Sequence, residues 1–159
     1  MFQPIVLILF ASGFTVAQKK ELLCRSDDLE ISFSTCGDHS TGPFTFGAEP
    51  CSFKGNSRWK GSLFWIPKAD INVLTGCVRL WHANSKVLEW KGALCKGVDD
   101  DYSFCGALKG ETINTTVNIS GGKIFYPKGE YTAVFRGYAG YPKEELVFCM
   151  NYTLIIKSH

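Results

Sequence analysis

The run TINTTVNIS, Thr112 to Ser120, is the clearest statement of local structure in the chain. Ile113, Thr115, Val117 and Ile119 fall on one side of a two-residue period, and Asn114, Thr116, Asn118 and Ser120 on the other. Such alternation marks a half-buried strand, because successive side chains of an extended backbone point to opposite faces. Asn114 and Asn118 each begin an Asn-X-Ser/Thr sequon, so the polar face of the strand is also where glycans would be carried.

The same period recurs outward from this run. Leu146, Phe148, Met150, Tyr152, Leu154 and Ile156 share one parity near the end of the chain. Further strands are expected at Leu29–Cys36, Pro43–Gly47, Ser62–Ile66, Leu74–His82, Lys86–Trp90 and Glu130–Tyr138. Gly42-Pro43, Pro67, Gly121-Gly122, Pro127-Lys128-Gly129 and Gly140-Tyr141-Pro142 punctuate them. No stretch shows a capped helical period. Short strands at about ten-residue spacing predict an all-β fold, a sandwich of two antiparallel sheets. Its inward positions are unusually aromatic: Phe33, Phe44, Phe46, Phe64 or Trp65, Phe135, Phe148 and Tyr152. An ordinary filled core and two splayed sheets lining an apolar cavity both require this pattern.

Residues 1–17 contain the apolar run IVLILF and end in Thr15-Val16-Ala17, which reads as a signal peptide with its cleavage site. The remaining domain, 18–159, is long enough for one core. A net charge of +2 makes no general case for nucleic acid or a polybasic membrane anchor. Seven cysteines in a chain with a signal peptide predict disulfides. No Cys-X-X-Cys pair is present to favour zinc. Cys95 and Cys105, bracketing a ten-residue step, are expected as a local pair. A third sequon starts at Asn151.

That step holds DDDYSFC, Asp99 to Cys105. His39, His82 and His159 are scattered, with no spacing that suggests a nucleophile and an orienting base, so an enzyme is not expected. Neighbouring aspartates in a tight loop do not flank a cleft as a glycosidase pair must. Nor do they follow the alternate spacing of an EF-hand. A solvated acidic turn is one reading. The other is a stapled recognition loop, pre-ordered for a protein partner, with Tyr102 and Phe104 beside the charges and Lys68 and Lys109 nearby.

At CKGVDDDYSFCGALKGETINTT, Cys95 to Thr116, the chain resembles the myeloid-differentiation-factor-two-related lipid-recognition (ML) family, in its branch of lipopolysaccharide-binding co-receptors of Toll-like receptor four. AQKK at Ala17, EPC at Cys51, FWIPKAD at Phe64–Asp70, PKGEY at Pro127–Tyr131 and ELVFCMNYTL near the end extend the likeness. The resemblance implies an immunoglobulin-like sandwich opened into a cup, with no cofactor, metal or catalysis. It implies disulfides Cys24–Cys51, Cys36–Cys149 and Cys95–Cys105. It also implies a secreted protein whose partners are lipid A and the receptor ectodomain. A lipid-transfer or accessory protein acting with another receptor, or with none, is the rival within the family.

Carried over by position, the implied cavity is lined by Ile31, Phe44, Phe46, Leu63, Trp65, Val78, Leu94, Phe104, Ile113, Val117, Ile119, Ile124, Tyr131, Phe135, Phe148, Met150, Tyr152 and Leu154. Arg58, Lys91, Lys123 and Lys128 would meet lipid phosphates. Lys68, Asp99, Asp100, Asp101, Tyr102 and Lys109 would meet the primary receptor, and His82, Val87 and Tyr126 would gate the mouth and meet a second receptor. Trp90, Gly122 and Thr132 stand where the family places basic residues. Gly61, Gly76 and Gly121 would shrink side chains of the cavity wall. Cys77 has no partner in the family pattern. It shares parity with Thr75 and Arg79, so it is either an outer-face reactive thiol or a capped, semi-buried one.

Overall fold

The computed structural model describes residues 19–36, 42–54, 58–120 and 126–157. Among these described residues nine strands form two antiparallel sheets. They are β1 (Glu21–Arg25), β2 (Leu29–Thr35), β3 (Phe44–Glu49), β4 (Arg58–Trp65), β5 (Leu74–His82), β6 (Ser85–Cys95), β7 (Ile113–Ser120), β8 (Gly129–Ala139) and β9 (Glu145–Ile156). One sheet runs β1-β2-β9-β8-β5-β6 and the other β3-β4-β7. The alternating run of Thr112–Ser120 supplies β7, an edge strand. Its Ile113 and Val117 pair with Trp65 and Gly61 of β4, so the odd positions of both strands share one face. In β4 that face takes Trp65, 1% exposed, and leaves Phe64 outward at 36%. The β5–β6 hairpin turns at Ala83 and Asn84, which both carry positive φ, as a two-residue turn matched to strand twist requires.

The parity expected for the last strand fails at its start. Gly137 of β8 faces Phe148, but Tyr138 faces Leu146, so Val147 is the extra residue of a bulge. The bulge puts Val147 into the core at 2% exposure, in place of Leu146. From Phe148 to Ile156 the expected face holds: Phe148, Met150, Tyr152 and Leu154 lie opposite Gly137, Phe135, Ala133 and Tyr131.

A three-stranded sheet cannot cover a six-stranded one, and the remaining inner surface is closed by loops. Ile71, fully buried, joins Phe104 and Ala107 in the main core. Backbone bonds from Ile71 N–H to the Ala107 carbonyl and from Gly106 N–H to the Ile71 carbonyl, both 2.8 Å, hold that closure. A second cluster of Leu29, Leu80, Tyr131 and Ile156 is covered by Phe53 and Tyr126. Across the main core the layers meet through aromatic rings. Phe148 stacks on Phe44 at 5.0 Å and takes Trp65 edge-on at 5.5 Å and Phe135 at 4.8 Å.

The three disulfides are Cys24–Cys51, Cys36–Cys149 and Cys95–Cys105. Cys77 is a free thiol, buried on the outer face of the large sheet, where its neighbours in register are Lys91 and Arg136. Burial of this kind matches the capped alternative rather than the exposed reactive one. Expected residues 1–17, His39, Gly121, Gly122, Lys123, Ile124 and His159 lie outside the described residues.

Two glycines test the packing. A Cβ on Gly137 would fall within the buried Phe148 ring, whereas one on Gly47 meets nothing within 4 Å. Gly137→Ala should therefore cost about 2 kcal/mol or more by overpacking, and Gly47→Ala should leave stability level or slightly higher. Urea unfolding of the two variants measures both; equal midpoints would contradict this register.

Candidate ligand-binding cavity

Between the sheets lies a partly open cavity of about 470 Å³, within the roughly 300–1,000 Å³ usual for small-ligand sites. Phe44 and Phe46 of β3, Leu63 and Trp65 of β4, and Val117 and Ile119 of β7 line it from the small sheet. Val78, Leu94, Phe135 and Phe148 line it from the large sheet, and Phe104 from the loop after β6. Alternation places each strand contribution two residues from the next, which is how a sparse pattern converges on one space. Edge strands β6 and β7 both border the cavity, and among the described residues they pair only with β5 and β4, so no backbone ladder joins the two sheets there.

The cavity is smaller than the expected lining set. Ile113 and Met150 are absorbed into the packed core, and Tyr152 lies against it. Ile31, Tyr131 and Leu154 belong to the second cluster, away from the cavity wall. Nor do the strand glycines add room. The space over Gly61 is taken by Phe46 and Val117, and that over Gly76 by Leu94 and Trp90, with approaches of 2.8–3.0 Å to a Cβ position. Leu74, Trp90, Tyr102 and Asn118 border the cavity without having been expected there. Leu74 was legible, since it shares parity with Val78.

Two polar atoms are buried in this interior without a hydrogen-bond partner, Trp65 Nε1 and the Tyr152 hydroxyl. Burial pushes the Tyr152 phenol far above its ordinary pKa, and raises Tyr126 and Tyr131 as well. These groups stay neutral, and the described residues that line the cavity carry no charge.

Of the basic residues expected at a rim, Lys123 lies outside the described residues, and Arg58, Lys91 and Lys128 are not among the residues that line the cavity. Lys91 pairs in register with Cys77 and therefore points from the outer face of the sheet, while its neighbour Trp90 faces inward. Strand alternation is the reason, and it turns Lys91 away from the cavity interior. Arg58 and Lys128 are exposed. The trio expected at the mouth does not border the cavity either. His82 stacks on Tyr131 at 4.3 Å, with its Nδ1 2.9 Å from the Glu130 carbonyl. Tyr126 is wedged between Phe53 and Tyr131, each at 5.7 Å, and Val87 stands 50% exposed on β6.

The acidic loop divides its labour. Asp100 accepts hydrogen bonds from the backbone N–H groups of Lys96 (2.6 Å) and Gly97 (3.0 Å), so its carboxylate shapes the loop instead of reaching outward. Asp99 and Asp101 are exposed, as are Lys68 and Lys109. Tyr102 stacks on the buried Phe104 at 5.2 Å, joining the loop surface to the cavity wall. Lys109 N–H donates to Asp70 Oδ1 at 2.9 Å and ties the neighbouring loop in place. Ligand atoms of Cys95, Asp100 and Cys105 lie within 4.8 Å of one another, but the two sulfurs are joined in the disulfide and offer no thiolate. Asp100→Ala should destabilise the fold by about 1–3 kcal/mol, because two N–H groups lose a charged acceptor. Asp101→Ala should change stability by less than about 0.5 kcal/mol. Thermal unfolding of both variants decides the point.

Comparison with known proteins agrees with this geometry. Lymphocyte antigen 96 of Homo sapiens is 37% identical over 147 residues, covering 92% of this chain and 91% of that protein. Lymphocyte antigen 96 of Cricetulus griseus is 39% identical over 143 residues, covering 89% and 88%. Chicken MD-1, solved in complex with lipid IVa, superposes with a TM-score of 0.74 at 23% identity, over 88% of this chain and 99% of that one. No family model matches the chain. Fold and cavity define a β-sandwich with an apolar cavity between its layers. The chain belongs to the lymphocyte antigen 96 family.

Proposed function

We propose that this protein is a secreted lipid-binding co-receptor. It takes acyl chains of bacterial lipopolysaccharide (lipid A) into the cavity and presents the lipid to the ectodomain of Toll-like receptor four. The observation that carries the reading is the apolar cavity itself, lined from both sheets and partly open. Water gains nothing from such walls, and each methylene transferred into them contributes about 0.8 kcal/mol. Support comes from the relatives named lymphocyte antigen 96 and from a structural neighbour that holds lipid IVa. The ligand is held, not transformed, so the reading is non-enzymatic. Among the described residues no helix is long and apolar enough to cross a membrane.

The receptor face is the loop of Asp99, Asp101 and Tyr102 with Lys68 and Lys109, while Asp100 keeps that loop in shape. Exposed Asn114 on the outward side of β7 suits a glycan that leaves the interior untouched, whereas Asn118, also exposed, borders the cavity. Ligand surface that the cavity does not take up would emerge beside Trp90, close in sequence to exposed Val87 and Leu88. There it would offer a second receptor an apolar contact. Reversing charge at Asp99 and Asp101 together (Asp→Lys) should weaken capture of the receptor ectodomain at least tenfold and leave lipid A binding unchanged. Surface plasmon resonance and native mass spectrometry read the two arms. Lipid binding without any receptor capture by the unaltered protein would instead indicate a lipid carrier.

A further inference from the structure

Among the described residues that line the cavity, Trp90, Tyr102 and Asn118 are also exposed, so they mark where the cavity meets solvent. Asn118 differs from the other two in kind. Within the described lining it is the residue that is neither apolar nor aromatic. It also opens the sequon Asn118-Ile119-Ser120, which has no proline at its middle position. Asn114 begins the preceding sequon on the same strand and is exposed as well, but it lies opposite Phe64 in the register and outside the cavity lining. One strand therefore carries two acceptor asparagines, and only the second stands at the rim.

We propose that Asn118 carries an N-linked glycan that stands over the cavity rim and slows the passage of an apolar ligand in both directions. The gating half of this inference rests on the lipid-binding reading; the modification itself does not. An N-glycan is bulky and strongly hydrated, and taking its hydroxyls into an apolar space without partners is costly. Anchored at the rim, it therefore stays outside the interior and sweeps the opening, and every entering or leaving molecule has to displace it. The obstacle is the same for entry and exit. It makes no preferential contact with the filled or the empty cavity, so it changes rates and leaves the binding equilibrium in place. A glycan on Asn114 is anchored four residues along the strand, about 13 Å away at about 3.3 Å per residue, and leaves the rim clear.

The full chain is secreted from mammalian cells that leave glycans in the high-mannose form, and peptide mass mapping reads occupancy at Asn118. Stopped-flow fluorescence then follows uptake of the apolar dye bis-ANS and its release when lipid A is added in excess. Mapping should find sugar on Asn118. Asn118→Gln and Ser120→Ala both delete the sequon, and each should quicken uptake and release at least about fivefold while the Kd for the dye changes less than about twofold. Asn114→Gln should leave both rates within about twofold of the unaltered protein. Trimming the folded, unaltered glycoprotein with endoglycosidase H should reproduce the faster rates, which keeps the test open should the variants fold poorly. Bare Asn118 in the secreted protein overturns the modification and the gate together. Sugar on Asn118 with rates unmoved by deletion and by trimming overturns the gate. Equal quickening by Asn114→Gln overturns the particular role of Asn118. Failure of every form to bind either dye or lipid A overturns the lipid-binding reading and the gate with it, while the mapping still decides the modification.

Discussion

Unequal width of the two sheets is the constraint from which the molecule's properties follow. Six strands present an inner face that three strands cannot cover. Exposed hydrocarbon on that scale is unfavourable at roughly 25 cal/mol per Å², so something has to lie against it. At one end the covering is the Ile71 and Phe104–Ala107 loops, and at the other Phe53 and Tyr126. Between them, against β5, β6 and β8, a gap remains between the layers.

Aromatic residues let one short sequence both close and open the sandwich. Phe148 illustrates the closing half, with its ring over Gly137 and in contact with Phe44, Trp65 and Phe135. Flat rings lie along a glycine notch without separating the layers, and they meet edge-on where the layers touch. Trp90 illustrates the opening half: lying over Gly76 and Gly92, it keeps close to its own sheet and does not bridge to the other. Loop chemistry then couples inside to outside. Asp100 fixes the turn, the disulfide ties its base to the end of β6, and Tyr102 stacks on a cavity-lining Phe104. The exposed surface of the acidic loop is thereby built on the wall of an apolar pocket.

Several features were readable from residues alone. The β7 alternation was legible because a period of two admits one interpretation, and the same holds for β9 from Phe148 onward. Cys95–Cys105 was legible as a short loop. Strand β1, ELLCR, was not, since five residues at a sheet edge carry too little alternation to declare themselves. Leu146 was misplaced because a bulge shifts parity by one residue without leaving a local mark. Lys91 was expected near lipid phosphates from the resemblance, and only the register opposite Cys77 shows that it stands on the outer face of the large sheet.

What the amino-acid order determined by itself is the fold class, the partition of each strand into an apolar and a polar side, and the chemical character of whatever fills the interior. What only the tertiary structure decided is how much of that interior is filled. Met150 and Phe135 pair directly across β9 and β8, yet one is packed and the other lines a void. Periodicity reports which way a side chain points. The distance to the opposite layer depends on bulges, loops and ring orientations contributed by distant parts of the chain, and no local pattern encodes it.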